Sequence, residues 1–136
     1  MLHRRDVRRI TAVAMAVVIS LAAASLTEAR IYAIDGDTVD IDGERIRIAN
    51  IDTPEIDGAQ CAAERQLGLL AKERMRELVR EKPLRIFRGD HGRKVDRHGR
   101  TLARIEVKGR DVGETLIREG LARKWTGKRS PWCGGR

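Results

Sequence analysis

Acidic and basic side chains are concentrated in two separate stretches of the 136-residue chain. Between residues 35 and 57, eight acids are opposed by two arginines, and between residues 82 and 110, ten basic residues are opposed by three acids. Carboxylates can hold a hard divalent cation and arginines can hold a phosphate, so the two stretches supply what a phosphodiester-cleaving site needs. Strand and turn surfaces are also commonly charged, and composition alone leaves both interpretations open.

Residues 34–39 place two acids, Asp35 and Asp37, around a glycine immediately before a predicted strand. The segment does not fit an EF-hand, because the third ligand position would be Val39 and the required glycine would be Asp40. Ligands for a metal would therefore come from separate strands. Taken singly, an Asp-Gly or Asp-Thr-Pro stretch is more often a turn than a ligand.

The chain carries a net charge of +8 and has a pI near 10.3, which favours a polyanionic partner such as nucleic acid or an anionic membrane surface. Only four side chains are aromatic, so binding by stacking many bases is not expected. Two roles are open for Trp125, stacking a base near the site or covering the core, and the second is commoner. The two cysteines exclude a disulfide-dense scaffold and a four-cysteine zinc site.

Residues 1–29 have the pattern of a secretory signal peptide. Four arginines form a basic start, an apolar run covers residues 10–24, and Ala29 offers a cleavage site. The run is shorter than the roughly 20 residues of a membrane-spanning helix, so an uncleaved membrane anchor is the minor alternative. Cleavage would leave one small domain, residues 30–136, with 24 basic and 18 acidic residues. The expected location is secreted or periplasmic.

Hydrophobic periodicity predicts strands, one long helix, further strands and a short second helix. A hairpin with a two-residue loop is expected at Asp42 and Gly43. Helical spacing covers residues 62–81, with Gly68 as a candidate bend, and Asp111 is a candidate N-cap for the second helix. Five short strands around one helix predict an OB-type barrel, an α+β fold that is mainly β, with its connectivity left open.

Four segments of the chain resemble, in order, the staphylococcal nuclease (thermonuclease) family. They are IDGDTV at residues 34–39, RIANIDTPE at 47–55, DRHGR at 96–100 and VGETLIREGLA at 112–122. The resemblance spans about residues 31–124 and implies a domain of that family over residues 30–136, with a divergent tail from about residue 123. It also implies the family's five-stranded OB-fold barrel with one long central helix and a short second helix.

The resemblance implies a calcium site with oxygen ligands. Asp37 and Asp52 match the family's calcium-ligating carboxylates, and the backbone carbonyl of Thr53 matches a further ligand. Asp35 matches an acid that lies near the metal without binding it directly. Carboxylate oxygens suit magnesium and manganese as well as calcium, so the choice of Ca²⁺ rests on the resemblance alone.

The resemblance also implies the catalytic residues. Arg47 and Arg100 match the two arginines that grip the scissile phosphate, and Glu55 matches the carboxylate that orients or deprotonates the attacking water. Arginine suits the first role because its planar fork can bond two phosphate oxygens at once. Arg97 and His98 are candidate phosphate contacts, although His98 stands where family members often carry a tyrosine, and an exposed turn histidine is an equal alternative.

Cys61 and Cys133 are candidates for a disulfide, because an exported protein with an even number of cysteines can form one. Such a bond would tie the long helix to the end of the chain. Two free thiols, one in the core and one in the tail, are the alternative.

The resemblance implies an exported, calcium-dependent phosphodiesterase that hydrolyses DNA and RNA by in-line attack of water, leaving 3′-phosphate and 5′-hydroxyl ends. We expect a monomer with no stable membrane association once the signal is cleaved. The main alternative is a non-catalytic OB-fold nucleic-acid binder, but degenerate copies lose the metal acids and phosphate arginines that this chain retains. A basic protein that binds anionic membranes or cell-wall polymers would explain the charge but not the ordered acids.

Overall fold

The computed structural model describes residues 28–134. The predicted signal peptide, residues 1–29, falls outside the described residues except for its last two positions. Within residues 28–134, no helix has both the length and the apolar character needed to cross a membrane.

Eight strands and two helices make up the described part of the chain. The strands are β1 (Ile31–Ala33), β2 (Thr38–Ile41), β3 (Glu44–Ile48), β4 (Ile51–Asp52), β5 (Leu84–Arg88), β6 (Thr101–Val107), β7 (Arg110–Asp111) and β8 (Arg123–Lys124). The helices are α1 (Ala62–Leu78) and α2 (Val112–Arg118). The fold is therefore α+β and mainly β, as the sequence predicts.

A mixed sheet with the strand order β1-β2-β3-β6-β5 forms the main layer, and β7 pairs with β6 beside this path. The ladder between β3 and β6 is parallel, while the other ladders of the sheet are antiparallel. Strands β4 and β8 form a separate antiparallel pair. The β2–β3 hairpin turns at Asp42 and Gly43, which have φ values of 53° and 89°, and this confirms the predicted two-residue loop.

A closed five-stranded barrel is not confirmed. Five strands do lie along the main path of the sheet, but within residues 28–134 the ladders leave β1 and β5 as its two edges. The three additional strands, β4, β7 and β8, have two residues each. Strands this short cannot show the alternation of apolar and polar residues from which the strand number was predicted.

The helix α1 starts where the sequence predicts and ends three residues earlier, at Leu78 instead of Glu81. Its N-cap is Cys61, whose sulfur accepts the backbone N–H of Glu64 at 3.4 Å. Beyond Leu78 the chain leaves the helix through shorter-range bonds, including one from Glu81 N–H to the carbonyl of Leu78 at 3.1 Å. Gly68 lies inside this single helix, where close packing, described below, accounts for the glycine.

The core packs one face of each helix against the sheet. Met75 of α1, Leu116 of α2 and Ile46 of β3 are fully buried there. The adjacent parallel strands β3 and β6 position the two predicted phosphate-binding arginines, because Arg47 lies within β3 and Arg100 immediately precedes β6.

Candidate active site

Arg47 extends from β3 to two carboxylates and is almost fully enclosed, with a side chain that is 10% exposed. Its Nη2 lies 3.1 Å from Oδ2 of Asp37 and 4.0 Å from Oδ1 of Asp52. Its Nη1 donates to the backbone carbonyl oxygens of Ile48 and, at 2.9 Å, of Ile51. Because the guanidinium is held from both the backbone and the carboxylate side, its orientation is fixed before any ligand arrives.

The Asp-Gly-Asp segment before β2 folds so that its two carboxylates have different surroundings. Asp37 is buried and accepts the hydroxyl of Thr38 at 3.2 Å and the backbone N–H of Thr53 at 3.3 Å. Asp35 accepts the backbone N–H of Asp37 at 3.0 Å. Burial, together with the neighbouring Asp37 charge, raises the pKa of Asp35 to about 6.

Asp52, at the end of β4, is buried with a carboxylate oxygen that lacks a hydrogen bond. Its Oδ2 accepts the indole N–H of Trp132 at 3.4 Å. Among residues 28–134, its Oδ1 has only the ion-pair contacts to Arg47 and, at 3.2 Å, to Arg129. Burial raises the pKa of Asp52, and the charge of Arg129 opposes that rise.

These surroundings fit a hard divalent cation. The carboxylates of Asp37 and Asp52 approach the same guanidinium nitrogen of Arg47, so they converge, and a buried oxygen without a hydrogen bond is suited to ligate a cation. Thr53, whose carbonyl is the predicted third ligand, is buried beside them. Two carboxylates leave further coordination positions for carbonyl oxygens and water.

One other group of potential ligands occurs in residues 28–134. Side-chain atoms of Cys61, Glu64 and Cys133 lie within 4.8 Å of one another. Cys61 and Cys133 are joined in a disulfide with a Cα–Cα distance of 6.1 Å. This group is therefore a covalent cross-link with a buried carboxylate beside it, because sulfurs bonded to each other are not the thiolates that bind metals.

Arg100 is oriented by a turn that Asp96 organises. The carboxylate of Asp96 accepts the backbone N–H groups of His98 and Arg100 at 2.8 and 3.0 Å, and it accepts Nε of Arg100 at 2.7 Å. Burial acts to raise the pKa of Asp96, but the hydrogen bonds from Arg100 and His98 keep that pKa below its ordinary value. Arg100 Nη1 also donates to the hydroxyl of Thr38 at 3.2 Å, which links this turn to the residue that follows Asp37.

Glu55 lies on the loop between β4 and α1, and α1 supports this loop. Its backbone N–H donates to Oε1 of the buried Glu64 at 3.2 Å. A Cβ atom on Gly68 would lie 2.8 Å from the carbonyl oxygen of Pro54 and 2.9 Å from that of Glu55, so the helix must carry glycine at this contact. The Glu55 carboxylate contacts the guanidinium of Arg129.

The tail, which we define as residues 125–133, forms one wall of the cleft. The ring of Trp125 lies with its centroid 5.9 Å from Cζ of Arg47, which places this tryptophan over a buried charge. Trp132 packs under the guanidinium of Arg123, at 3.8 Å from its ring centroid. The disulfide at Cys133 joins the end of the tail to the start of α1.

Most of the predicted site residues line one cleft of about 950 Å³. Those that line it are Asp35, Asp37, Arg47, Thr53, Glu55, Arg97, His98 and Arg100. Asp52 lies behind this surface and reaches the group through Arg47. Arg97 and His98 are exposed and contact each other, with Nε of Arg97 3.1 Å from Nε2 of His98, so they lie at the edge of the cleft.

Four residues of this arrangement were not predicted from the sequence: Glu64, Asp96, Arg129 and Trp132. A signal existed for Asp96, because an Asp shortly before a glycine in a turn commonly accepts nearby backbone N–H groups, and Gly99 follows three residues later. For the tail residues Arg129 and Trp132, the sequence offered a weaker signal, which is that Cys61 stands shortly after Glu55. A bridge from Cys61 to Cys133 brings the tail to the same loop.

Comparison with known proteins identifies related sequences over most of the described chain. Residues 45–132 match the family model described as staphylococcal nuclease homologue. Over 95 residues the chain is 39% identical to endonuclease YncB and 38% identical to SPbeta prophage-derived endonuclease YokF, both from Bacillus subtilis (strain 168). The alignments cover 67% of this chain, 44% of YncB and 31% of YokF, so the chain spans less than half the length of these two relatives.

Proposed function

The chain belongs to the family of staphylococcal nuclease homologues, and from that premise we propose that it is an exported nuclease that hydrolyses phosphodiester bonds of DNA and RNA and uses calcium as its cation. The family membership and the two relatives named as endonucleases support the nuclease function. The calcium requirement, the range of substrates and the export are our additions to it.

The observation that carries the proposal is that two arginines and two carboxylates line one cleft, with a third carboxylate behind it: Arg47, Arg100, Asp37, Glu55 and, behind them, Asp52. Arg47 lies in β3 and Arg100 immediately precedes the adjacent parallel strand β6. The Thr38 hydroxyl next to Asp37 contacts Arg100. A basic binding surface would have no use for buried carboxylates such as Asp37 and Asp52 beside its arginines, because they repel a phosphate. A site that also holds a divalent cation would use them.

The two arginines are suited to bind the scissile phosphate. Each guanidinium is oriented by contacts to protein oxygens, and the Arg100 side chain is 26% exposed, so it can donate to a phosphate oxygen from its present position. Their charge offsets the negative charge that grows on the phosphoryl oxygens as water attacks, and a preoriented donor does this without a reorganisation cost. Calcium bound by Asp37, Asp52 and Thr53 would supply further positive charge at the phosphate.

Glu55 is suited to receive a proton from the attacking water. The water oxygen forms a bond to phosphorus, its proton passes to the Glu55 carboxylate, and the bond from phosphorus to the 5′ oxygen breaks. The 5′ oxygen takes up a proton from solvent, which leaves a 3′-phosphate and a 5′-hydroxyl. The Glu55 side chain is 38% exposed, so it can meet water and substrate in the open cleft.

The first test compares cleavage of single-stranded DNA and RNA by the oxidised protein in calcium and in EDTA at low salt. We expect cleavage that requires calcium and that falls by roughly 10²-fold or more in Glu55→Ala and in Arg100→Ala, since each removes a group that acts on the transition state. Lys124→Ala is the matched control, because this exposed lysine of β8 lies outside the cleft.

Circular dichroism of each variant would check that the fold survives. Cleavage in EDTA would contradict the metal requirement. Salt-sensitive binding without cleavage in calcium, magnesium or manganese would instead support a non-catalytic nucleic-acid binder.

A further inference from the structure

The tail places one guanidinium against two carboxylates of the cleft. Arg129 Nη2 lies 3.2 Å from Oδ1 of Asp52, and its Nη1 contacts Oε1 of Glu55. The side chain of Asp52 is 5% exposed and that of Glu55 is 38% exposed. One planar fork therefore joins a buried, fixed carboxylate to a carboxylate that faces solvent.

Glu55 has little else to orient its side chain. Among residues 28–134, Arg129 is the one ion-pair or hydrogen-bond partner of the Glu55 carboxylate. The bond to Glu64 and the packing on Gly68 fix the backbone of the loop, but they leave the side-chain torsions free. A carboxylate that accepts a proton from a water must meet that water in a narrow range of distances and angles.

The tail is held on both sides of Arg129. Before it, the backbone N–H of Trp125 donates to the carbonyl of Asn50 at 3.0 Å, next to the β4–β8 ladder. After it, Cys133 is bonded to Cys61 at the N-terminus of α1. Arg129 is thus presented to the cleft by a segment with two fixed ends, which limits the positions that its guanidinium can reach.

We propose that Arg129 is a positioning residue of this nuclease: anchored on Asp52, its guanidinium orients the Glu55 carboxylate toward the attacking water. The inference rests on the proposed role of Glu55 as proton acceptor. It assigns a function to the tail, which lies outside the four segments that carry the predicted catalytic residues.

The test uses the oxidised full chain with Arg129→Ala, Arg129→Lys and, as a charge-matched control, Lys124→Ala. In Arg129→Ala we expect kcat to fall by roughly 10- to 100-fold with KM little changed, the size of effect that a misplacement of about 1 Å produces. Arg129→Lys should recover part of that loss, because lysine keeps the positive charge but lacks the planar fork that directs separate N–H groups at the two carboxylates. Lys124→Ala should cleave like the wild type.

Calcium affinity, measured by titration calorimetry without substrate, separates positioning from a general structural role. Arg129→Ala removes a positive charge 3.2 Å from Asp52, so calcium binding should be unchanged or tighter if the site is otherwise intact. Weaker calcium binding together with the loss of activity would overturn the proposal in favour of a structural role.

An unchanged kcat in Arg129→Ala would also overturn the proposal. A raised kcat with tighter calcium binding would overturn it too, and would show that the guanidinium obstructs the cation site. Failure of the proposed function itself looks different, because the wild type would then not cleave, or Glu55→Ala would cleave as well as the wild type.

Discussion

The carboxylates of the cleft are neutralised to different degrees. Asp37 has an arginine, a hydroxyl and a backbone N–H as partners, whereas Asp35 has one backbone N–H and lies next to the Asp37 charge. Burial and that neighbouring charge raise the pKa of Asp35 to about 6, well above its ordinary value of 3.8. Ionisation of Asp35 therefore opposes folding.

The free energy of unfolding should record this effect. Because the pKa of Asp35 is higher in the folded state, the folded protein binds this proton more tightly than the unfolded chain does. The resulting contribution to the free energy of unfolding is fully present below about pH 4 and is lost as pH rises through about 6. We expect Asp35→Asn to remove this loss and to be more stable than the wild type at pH 7 in EDTA. Urea unfolding followed by tryptophan fluorescence from pH 4 to pH 8 would measure it, and parallel curves for the two proteins would contradict it.

The sequence predicts those site residues whose chemistry is visible in short segments. Asp37, Arg47 and Arg100 stand in motifs with characteristic neighbours, and the structure places all three around one cleft. Arg129 could not be predicted in this way, because its place depends on the path of the tail through space. From the sequence alone, the Lys128-Arg129 pair is expected to be solvent-exposed, and only the position of Cys133 shows that it lies near the cleft.

At the scale of elements, the contact between α1 and the loop before it determines where Glu55 lies. The loop carbonyls approach the helix so closely that no side chain fits at Gly68. The other small residue on this face, Ala71, is fully buried. A Cβ atom added to Gly36 would lie 2.7 Å from the Cβ of Ala71. The helix therefore holds both acidic loops of the cleft through small residues at close contacts.

The variant Gly68→Ala should distinguish the effect of this packing on stability from the effect of helix propensity. Alanine favours the helix by about 1 kcal/mol, but the added methyl would meet backbone atoms, which cannot rotate away, so we expect a net loss of roughly 1–2 kcal/mol in the free energy of unfolding. Nuclease activity should also fall, because the Glu55 loop must move. Chemical denaturation and an activity assay would measure both, with exposed Leu70→Ala on the same helix as control. A stabilised variant would show that the loop yields at no cost.

The main elements could be predicted because each has a local signal. The hairpin turn at Asp42 and Gly43 needs residues that accept positive φ, and α1 repeats its apolar residues at helical spacing. The pairing of β3 with β6 and of β4 with β8 has no such signal, because it depends on contacts between distant parts of the chain. For the same reason the barrel was an expectation from the predicted strands and from the family resemblance, and its closure is not confirmed.

For the molecule as a whole, the disulfide joins Cys61 to Cys133 across a sequence separation of 72 residues. The loop that it closes includes both helices. Cross-linking such a long loop restricts the unfolded chain far more than the folded one. Because the core is small, this constraint is a substantial part of the stability of the domain.

Replacing both cysteines by serine should lower the free energy of unfolding by about 4 kcal/mol on the chain-entropy model. Serine is a good N-cap, so Cys61→Ser keeps the start of α1 and the loss can be assigned to the missing bridge. Denaturation of the double variant and of the wild type, with and without a reducing agent, would measure it. A reducing agent that destabilised the double variant as much as the wild type would contradict the assignment.

The parallel ladder between β3 and β6 also has a consequence for the order of events on the ribosome. β6 and the adjacent Arg100 are synthesised only after β4, α1 and β5, and Arg129 follows later still. A nascent chain therefore carries Asp37, Arg47 and Asp52 long before the strand that completes the sheet beside them exists. Contacts between such distant segments form slowly, since a long loop must close first. A chain that ends before residue 100 therefore contains the acids of the cleft without the second arginine.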